Sequence, residues 1–296
     1  MQRLSGDRLE TLKGWAFISP WVVGFCFFSL VPLTTSLYYS FCDYSLLQRP
    51  VFTGLENYSR LLHDKVFHQA LINTAYYSAM ALPLGLLFSL SAALLLNVRI
   101  RGQSIYRTII FLPSLVPMVA SAMIWMWLLN GKLGLINFVL RKVGLVNPPE
   151  WLSDVAWAMP SLVLMSIWGV GNTVVIYLAG LQDVPTELYE AAELDGASRM
   201  RKLWHVTLPC ISPVIFFNLI MAIIGVLQTF GAPYIMTSGG PDRATYFFTM
   251  YLYDSAFTYL KMGYASSMAW IQLLMVLALT ALAGWSSKHW VHHSNR

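Results

Sequence analysis

The sequence predicts an all-α, polytopic membrane protein with six transmembrane helices, and three observations carry that reading. The chain is 57% hydrophobic and only 11% charged, whereas a soluble domain averages roughly a quarter charged residues. The charges are clustered: six stretches hold no Asp, Glu, Lys or Arg for 24 residues or more, at 14–42, 66–98, 108–131, 155–182, 203–241 and 262–287. A spanning helix needs roughly 20 apolar residues. Hydrocarbon admits only helices or closed barrels, and these runs are far too long for barrel strands. No internal repeat and no soluble domain is evident.

Taken in order, the spans are expected near 15–41, 70–97, 109–130, 156–181, 210–236 and 264–285. The first has a charge-free run of 29 residues that starts near Trp15 and ends in Tyr38, Tyr39, Phe41 and Tyr44. That is about twice a signal-peptide core and carries interfacial aromatics, so it reads as a retained span. A loop at 42–69 follows, with Gly54-Leu55-Glu56-Asn57-Tyr58 inside it. The loop at 131–155 contains Asn147-Pro148-Pro149-Glu150-Trp151, a turn cluster followed by an aromatic expected at the membrane interface. Between the fifth and sixth spans lie Thr237-Ser238-Gly239-Gly240-Pro241 and Ala244-Thr245, and the last span opens with MGYASSMAW at 262–270.

Six spans put both termini on one side. That side carries 11 Lys and Arg (Arg3, Arg8, Lys13, Arg99, Arg101, Arg107, Arg199, Arg201, Lys202, Lys288, Arg296) against 8 on the other (Arg49, Arg60, Lys65, Lys132, Arg141, Lys142, Arg243, Lys261). The positive-inside rule therefore assigns both termini and the 182–209 loop to the cytoplasm. The net charge of +5 reflects this topology. Basic residues scattered over both faces make no nucleic-acid footprint. Cys26, Cys42 and Cys210 form no disulfide framework and read as reduced structural residues. His289, His292 and His293 form a solvated tail cluster, and no metal-ligand spacing lies inside a span.

The stretch between the fourth and fifth spans, PTELYEAAELDGASRMRKLWHVTLP at 185–209, is the most informative part of the chain. Pro185 suits the first turn of a helix. Glu187, Glu190 and Glu193 are expected toward its positive end. Gly196 suits a left-handed helix end, and Ser198 can cap a second helix beginning Arg199, Arg201 and Lys202. Pro209 is expected to close the unit. The result reads as a short helix–turn–helix, acidic first and basic second. An amphipathic loop helix can also simply lie on a membrane surface, but such helices carry bulky apolar groups on one face. This one offers Ala191, Ala192 and Gly196, which let another protein approach the backbone.

Glu190-Ala191-Ala192, Gly196, Val206 and Leu208-Pro209 resemble the "EAA" coupling loop of binding-protein-dependent ABC importer permeases, with Val in place of Ile. The 54–58, 237–245 and 262–270 elements are similar to those of its sugar-transporting, maltose-permease-like branch. The resemblance implies a type I importer permease fold, with a first segment at 1–68 (first span and outer loop), a five-helix unit at 69–285 and a cytoplasmic tail at 286–296. It implies a bacterial inner-membrane subunit that translocates a sugar using ATP hydrolysed elsewhere. Its implied partners are a second, related permease, a cytosolic ATPase dimer and an external solute-binding protein. ATPase coupling would fall to Glu190, Ala191, Ala192, Asp195, Gly196, Leu208 and Pro209. Substrate contacts would fall to the positions flanking the loop: Met165, Trp168, Gly169 and Asn172, then Ala222, Gly225, Val226 and Thr229, each set spaced as one helix face.

The residues agree with that class. No GxxxxGK[ST] phosphate cradle is present; Gly131-Lys132 has Met126 in the first glycine position and Leu133 after the lysine. All 14 Asp and Glu fall in loops or at span edges, whereas a proton-coupled carrier needs ionisable groups within the membrane. No enzyme activity, cofactor or metal is expected of the chain itself. Neutral Asn73, Asn130, Asn172, Asn218, Gln228 and Gln272, with Trp125, Trp127, Trp168 and Tyr177, have two readings. They suit sugar hydroxyls and ring faces, and amides also hold transmembrane helices together. The alternatives are an importer of the same class for glycerol phosphate or another small solute, or a self-contained secondary carrier.

Overall fold

The computed structural model describes residues 3–98 and 101–292, with side chains from residue 10 onward. Helix α1 (Arg3–Phe25) runs through a π turn (Cys26–Leu30) into α2 (Val31–Ser40). A two-stranded antiparallel hairpin follows, β1 (Cys42–Asp43) and β2 (Val51–Phe52), then α3 (Glu56–His63) and the long α4 (Lys65–Leu96). Next come α5 (Gln103–Leu115), α6 (Met118–Leu128), α7 (Leu135–Lys142), α8 (Val155–Trp168) and α9 (Gly171–Gln182). Helices α10 (Thr186–Leu194) and α11 (Arg199–Lys202) lead through a π turn (Leu203–Thr207) into α12 (Leu208–Leu227). The chain ends with α13 (Gly231–Met236), α14 (Phe248–Tyr253) and α15 (Met262–Ser287).

Among the described residues, four helical stretches are long and apolar enough to cross a membrane: Glu10–Ser40, Lys65–Leu96, Arg199–Met236 and Met262–Ser287. The pairs α5–α6, bent by 101°, and α8–α9, bent by 47°, make six if each pair is one span. The straight spans expected at 109–130 and 156–181 are thus broken. At the first break Val116 is extended (φ −75°, ψ 128°) with Pro117 after it, and proline disfavours the helical region for the residue before it. At the second, Gly169 and Val170 leave helical geometry (ψ 6° and 7°).

The chain divides into two compact units. One comprises Met1–Asp64 with Leu252–Ile271, the other Lys65–Tyr251 with Gln272–Arg296. In the first unit, the buried Asn57 amide donates to the carbonyls of Ser40 (3.0 Å) and Cys42 (2.8 Å), and Tyr58 donates to the Ser40 hydroxyl (2.8 Å). The GLENY element is therefore the clasp that closes the 42–69 loop onto the end of α2. MGYASSMAW does similar work. Gly263 brings its backbone against Cys42, where a β-carbon would collide with the Cys42 carbonyl. Trp270 Nε1 donates to the Ser36 hydroxyl at 3.2 Å.

In the second unit one apolar core joins α4, α6 and α8 to the 236–250 segment, and another joins the ends of α4 and α9 to the start of α12. The TSGGP–AT stretch folds on itself through Thr237 and Thr245 (Oγ1 to Oγ1, 2.6 Å). It is held by the Asn73 amide, which donates to the carbonyls of Arg243 and Tyr246. Trp151 Nε1 donates to Asn137 Oδ1 at 2.7 Å, and Asn137 is fully buried. Cys26, Cys42 and Cys210 are free thiols. Among the described residues no His/Cys/Asp/Glu group could hold a metal; His293 lies outside them.

Candidate coupling segment and membrane cavities

Helix α10 ends in a Schellman turn. The Gly196 N–H donates to the Glu193 carbonyl (3.0 Å) and the Ala197 N–H to the Ala192 carbonyl (2.9 Å). This pattern requires a left-handed residue after the helix, and Gly196 supplies it at φ +71°. Two residues later the Ser198 hydroxyl accepts from the Arg201 N–H at 3.4 Å and starts α11. Four local expectations need correction. Pro185 is the N-cap residue, one place before the helix, because its ψ of 132° is extended. Glu193 lies in the last turn, where Lys202 meets it at 2.5 Å and holds its carboxyl below the usual value. The second helix is not short, since α11 continues through the π turn into α12 as far as Leu227. Pro209 closes nothing, because the helix continues past it from the π turn into α12.

Glu190, Ala191, Asp195 and Gly196 are exposed and Ala192 is half-buried, so the small-residue face is open. Leu208 and Val206 face the other way, against the core formed by α4, α9 and α12. The motif thus joins an open face to an anchored one. The sequence reading missed Leu194, which is 90% exposed beside Gly196, and the exposed Leu188 and Met200. The signal was a leucine inside an acidic run. Bulky apolar groups are therefore present: Leu188 and Leu194 sit among Glu187, Glu190, Glu193 and Asp195, and Met200 between Arg199 and Arg201. An anionic leaflet repels the acidic α10 part of this surface.

Three cavities open in the second unit; one, of about 380 Å³ with Arg107 in its wall, holds none of the expected substrate positions, and the other two do. Of these two, one, of about 220 Å³, is lined by Met165, Trp168 and Gly169 together with Tyr77, Ser166 and Ser121. The other, of about 250 Å³, is lined by Ala222, Gly225, Val226 and Thr229 together with Tyr77 and Ser166. No charged side chain lines either. Asn172 lines neither: it lies on α9 beyond the break and is exposed, so the four-residue face expected from Met165 to Asn172 is interrupted. Tyr77 and Ser166, shared by both cavities, were not foreseen, because they lie outside the helix faces flanking the loop. Trp168 also meets the Trp125 ring edge-on, with centroids 6.0 Å apart. Most other span amides are structural. Asn218 donates to the Val214 carbonyl, Gln272 to Leu227 and Thr249, and Asn130 accepts from the N–H groups of Lys132 and Leu133. Tyr177 is buried in the α4–α9–α12 core, and Trp127 is exposed.

Residues 85–292 match the family described as "Binding-protein-dependent transport system inner membrane component". The chain belongs to this family. It is an ABC importer permease, an inner-membrane transport component. It is 38% identical to the probable ABC transporter permease protein YesP of Bacillus subtilis, over 100% of this chain and 97% of that one. It is 32% identical to the lactose transport system permease protein LacF of Rhizobium radiobacter, over 97% of each chain. A bacterial ABC transporter involved in import of the acidic polysaccharide alginate has the same fold, with a TM-score of 0.85 at 23% identity, covering 97% of this chain and 99% of that one.

Proposed function

We propose that this permease passes a neutral sugar or related polyol, driven by a separate cytosolic ATPase that grips the α10 segment. The observation that carries the substrate class is the pair of uncharged cavities with hydroxyl and indole groups, Tyr77, Ser166, Thr229 and Trp168. Hydroxyls exchange hydrogen bonds with a sugar, and an indole stacks on its apolar face. An anionic solute would call for a cation in the lining. The likeness to a lactose permease supports the same class.

The open Ala191–Gly196 face with protruding Leu194 suits a helix-in-groove contact with the ATPase. Glu190, Ala191, Ala192, Asp195 and Gly196 make that contact, while Leu208 and Pro209 anchor it. The substrate path comprises Met165, Trp168, Gly169, Ala222, Gly225, Val226 and Thr229. The assembly contains a second, related permease, two ATPase copies and an external binding protein. The loop and both termini face the cytoplasm, consistent with 11 basic residues on that side against 8. Residues 69–285 form the five-helix unit. The chain itself catalyses nothing.

Co-expression with its ATPase and binding protein tests the proposal by ATP-dependent uptake of labelled sugar. Competition should come from neutral sugars and not from sugar acids or glycerol phosphate. Uptake by this chain alone, or stronger competition by anions, overturns it.

A further inference from the structure

We infer that two side-chain ties, Tyr189–Thr207 and Glu193–Lys202, make α10 and the following long helix one lever that passes ATPase movement to the membrane cavities. The inference rests on the coupling reading of 185–209. The backbone joint between α10 and α11 is a glycine turn of four residues, 195–198. Glycine is the residue that resists rotation least, so the turn alone would let α10 swivel and dissipate a pull. The ties cross that joint.

Lys202 Nζ meets Glu193 Oε1 at 2.5 Å, with the lysine side chain 17% exposed and the glutamate 64%, so this tie is solvent-screened at its acidic end and acts by position rather than by strength. On the preceding turn of α10, the Tyr189 hydroxyl meets Thr207 Oγ1 at 3.0 Å. The Tyr189 ring packs against the core of α4, α9 and α12, and Thr207 is buried. Both ties end on one segment, Lys202–Thr207, which contains the π turn; Thr207 Oγ1 also reaches the Lys202 carbonyl at 3.4 Å. Two attachments on successive turns of α10 fix its angle as well as its distance. The helix they grip runs from Arg199 through the π turn to Leu227 and carries Ala222, Gly225 and Val226 into the cavity.

The test uses the assembled importer with Tyr189→Phe, Lys202→Gln, the two together, and Thr207→Val as a second way to cut the tyrosine tie. Tyr189→Phe keeps the ring in the core. Copurified ATPase, ATP hydrolysis and solute uptake are measured on the same membranes. The expected result is retained ATPase association and hydrolysis, with solute moved per ATP reduced several-fold by each single change and about tenfold or more by the pair. The reversed pair, Glu193→Lys with Lys202→Glu, should recover most of the ratio. An unchanged ratio in the double variant overturns the lever, as does loss of assembly with normal uptake per surviving complex. Gly196→Asp separates the two readings: if it leaves ATPase association intact, the coupling assignment itself fails.

Discussion

Gly196 offers the sharpest test of whether the loop meets another protein, because this chain alone gives a β-carbon there nothing to hit. A Cβ at Gly196 finds no heavy atom within 4 Å, so substitution has no steric cost inside the subunit. What remains is conformational. At φ +71° an L-residue with a β-carbon loses about 1–2 kcal/mol, which is roughly a 5- to 30-fold shift in the local equilibrium of the turn. Asparagine tolerates this region better than alanine. If Gly196 did no more than end α10, association with the ATPase would rank Gly, then Asn, then Ala. If the ATPase packs on the bare backbone, both substitutions collide with it, and Asn, the larger, is no better than Ala. We expect the second order, with at least tenfold weaker ATPase capture for both variants and normal membrane levels. The measurement is titration of purified ATPase onto permease in nanodiscs. Rescue by Gly196→Asn to near the native affinity would refute the contact.

Replacing Asn57 with Leu removes two hydrogen bonds to buried carbonyls and should cost about 2–4 kcal/mol, read as a lower unfolding midpoint in detergent; an unchanged midpoint refutes the clasp. Trp168→Ala should lower apparent sugar affinity about tenfold or more, as loss of one stacking partner does. Asn172→Leu, outside both cavities, should leave uptake unchanged, and the reverse pattern would exclude the assigned path. Lys202 depresses the Glu193 carboxyl, so the tie is whole above the ordinary glutamate pKa and is lost as pH falls through the lowered value. Limited proteolysis of 193–202 should therefore be flat at neutral pH and rise only in acid, a rise that Glu193→Gln removes. Ser198→Cys, on a cysteine-free background, should resist an impermeant reagent applied outside; labelling there would overturn the topology.

The sequence alone marked the apolar runs and the helix-ending turn at Gly196–Ser198, for physical reasons. Water-free hydrocarbon forbids charge over about 20 residues, so charge-free runs mark spans whatever the packing. A helix end needing a left-handed residue shows as Gly196, and a cap shows as Ser198. Both depend on neighbours along the chain, so they are local and legible. The GLENY, TSGGP and MGYASSMAW elements stood out as patterns, but their work is to bond distant backbone: Asn57 to Ser40, Asn73 to Arg243, Trp270 to Ser36. Only the tertiary structure decided these pairings, since one amide donor can meet any carbonyl that the fold brings near. It also decided which of the flanking positions line a cavity. A period of 3.6 holds along one helix only, and the break at Gly169–Val170 ended it before Asn172. Tyr77 and Ser166 joined the cavity walls because α4 and α8 pack together there. Glu193 and Lys202 became a pair because a turn folded one helix end back onto the start of the next.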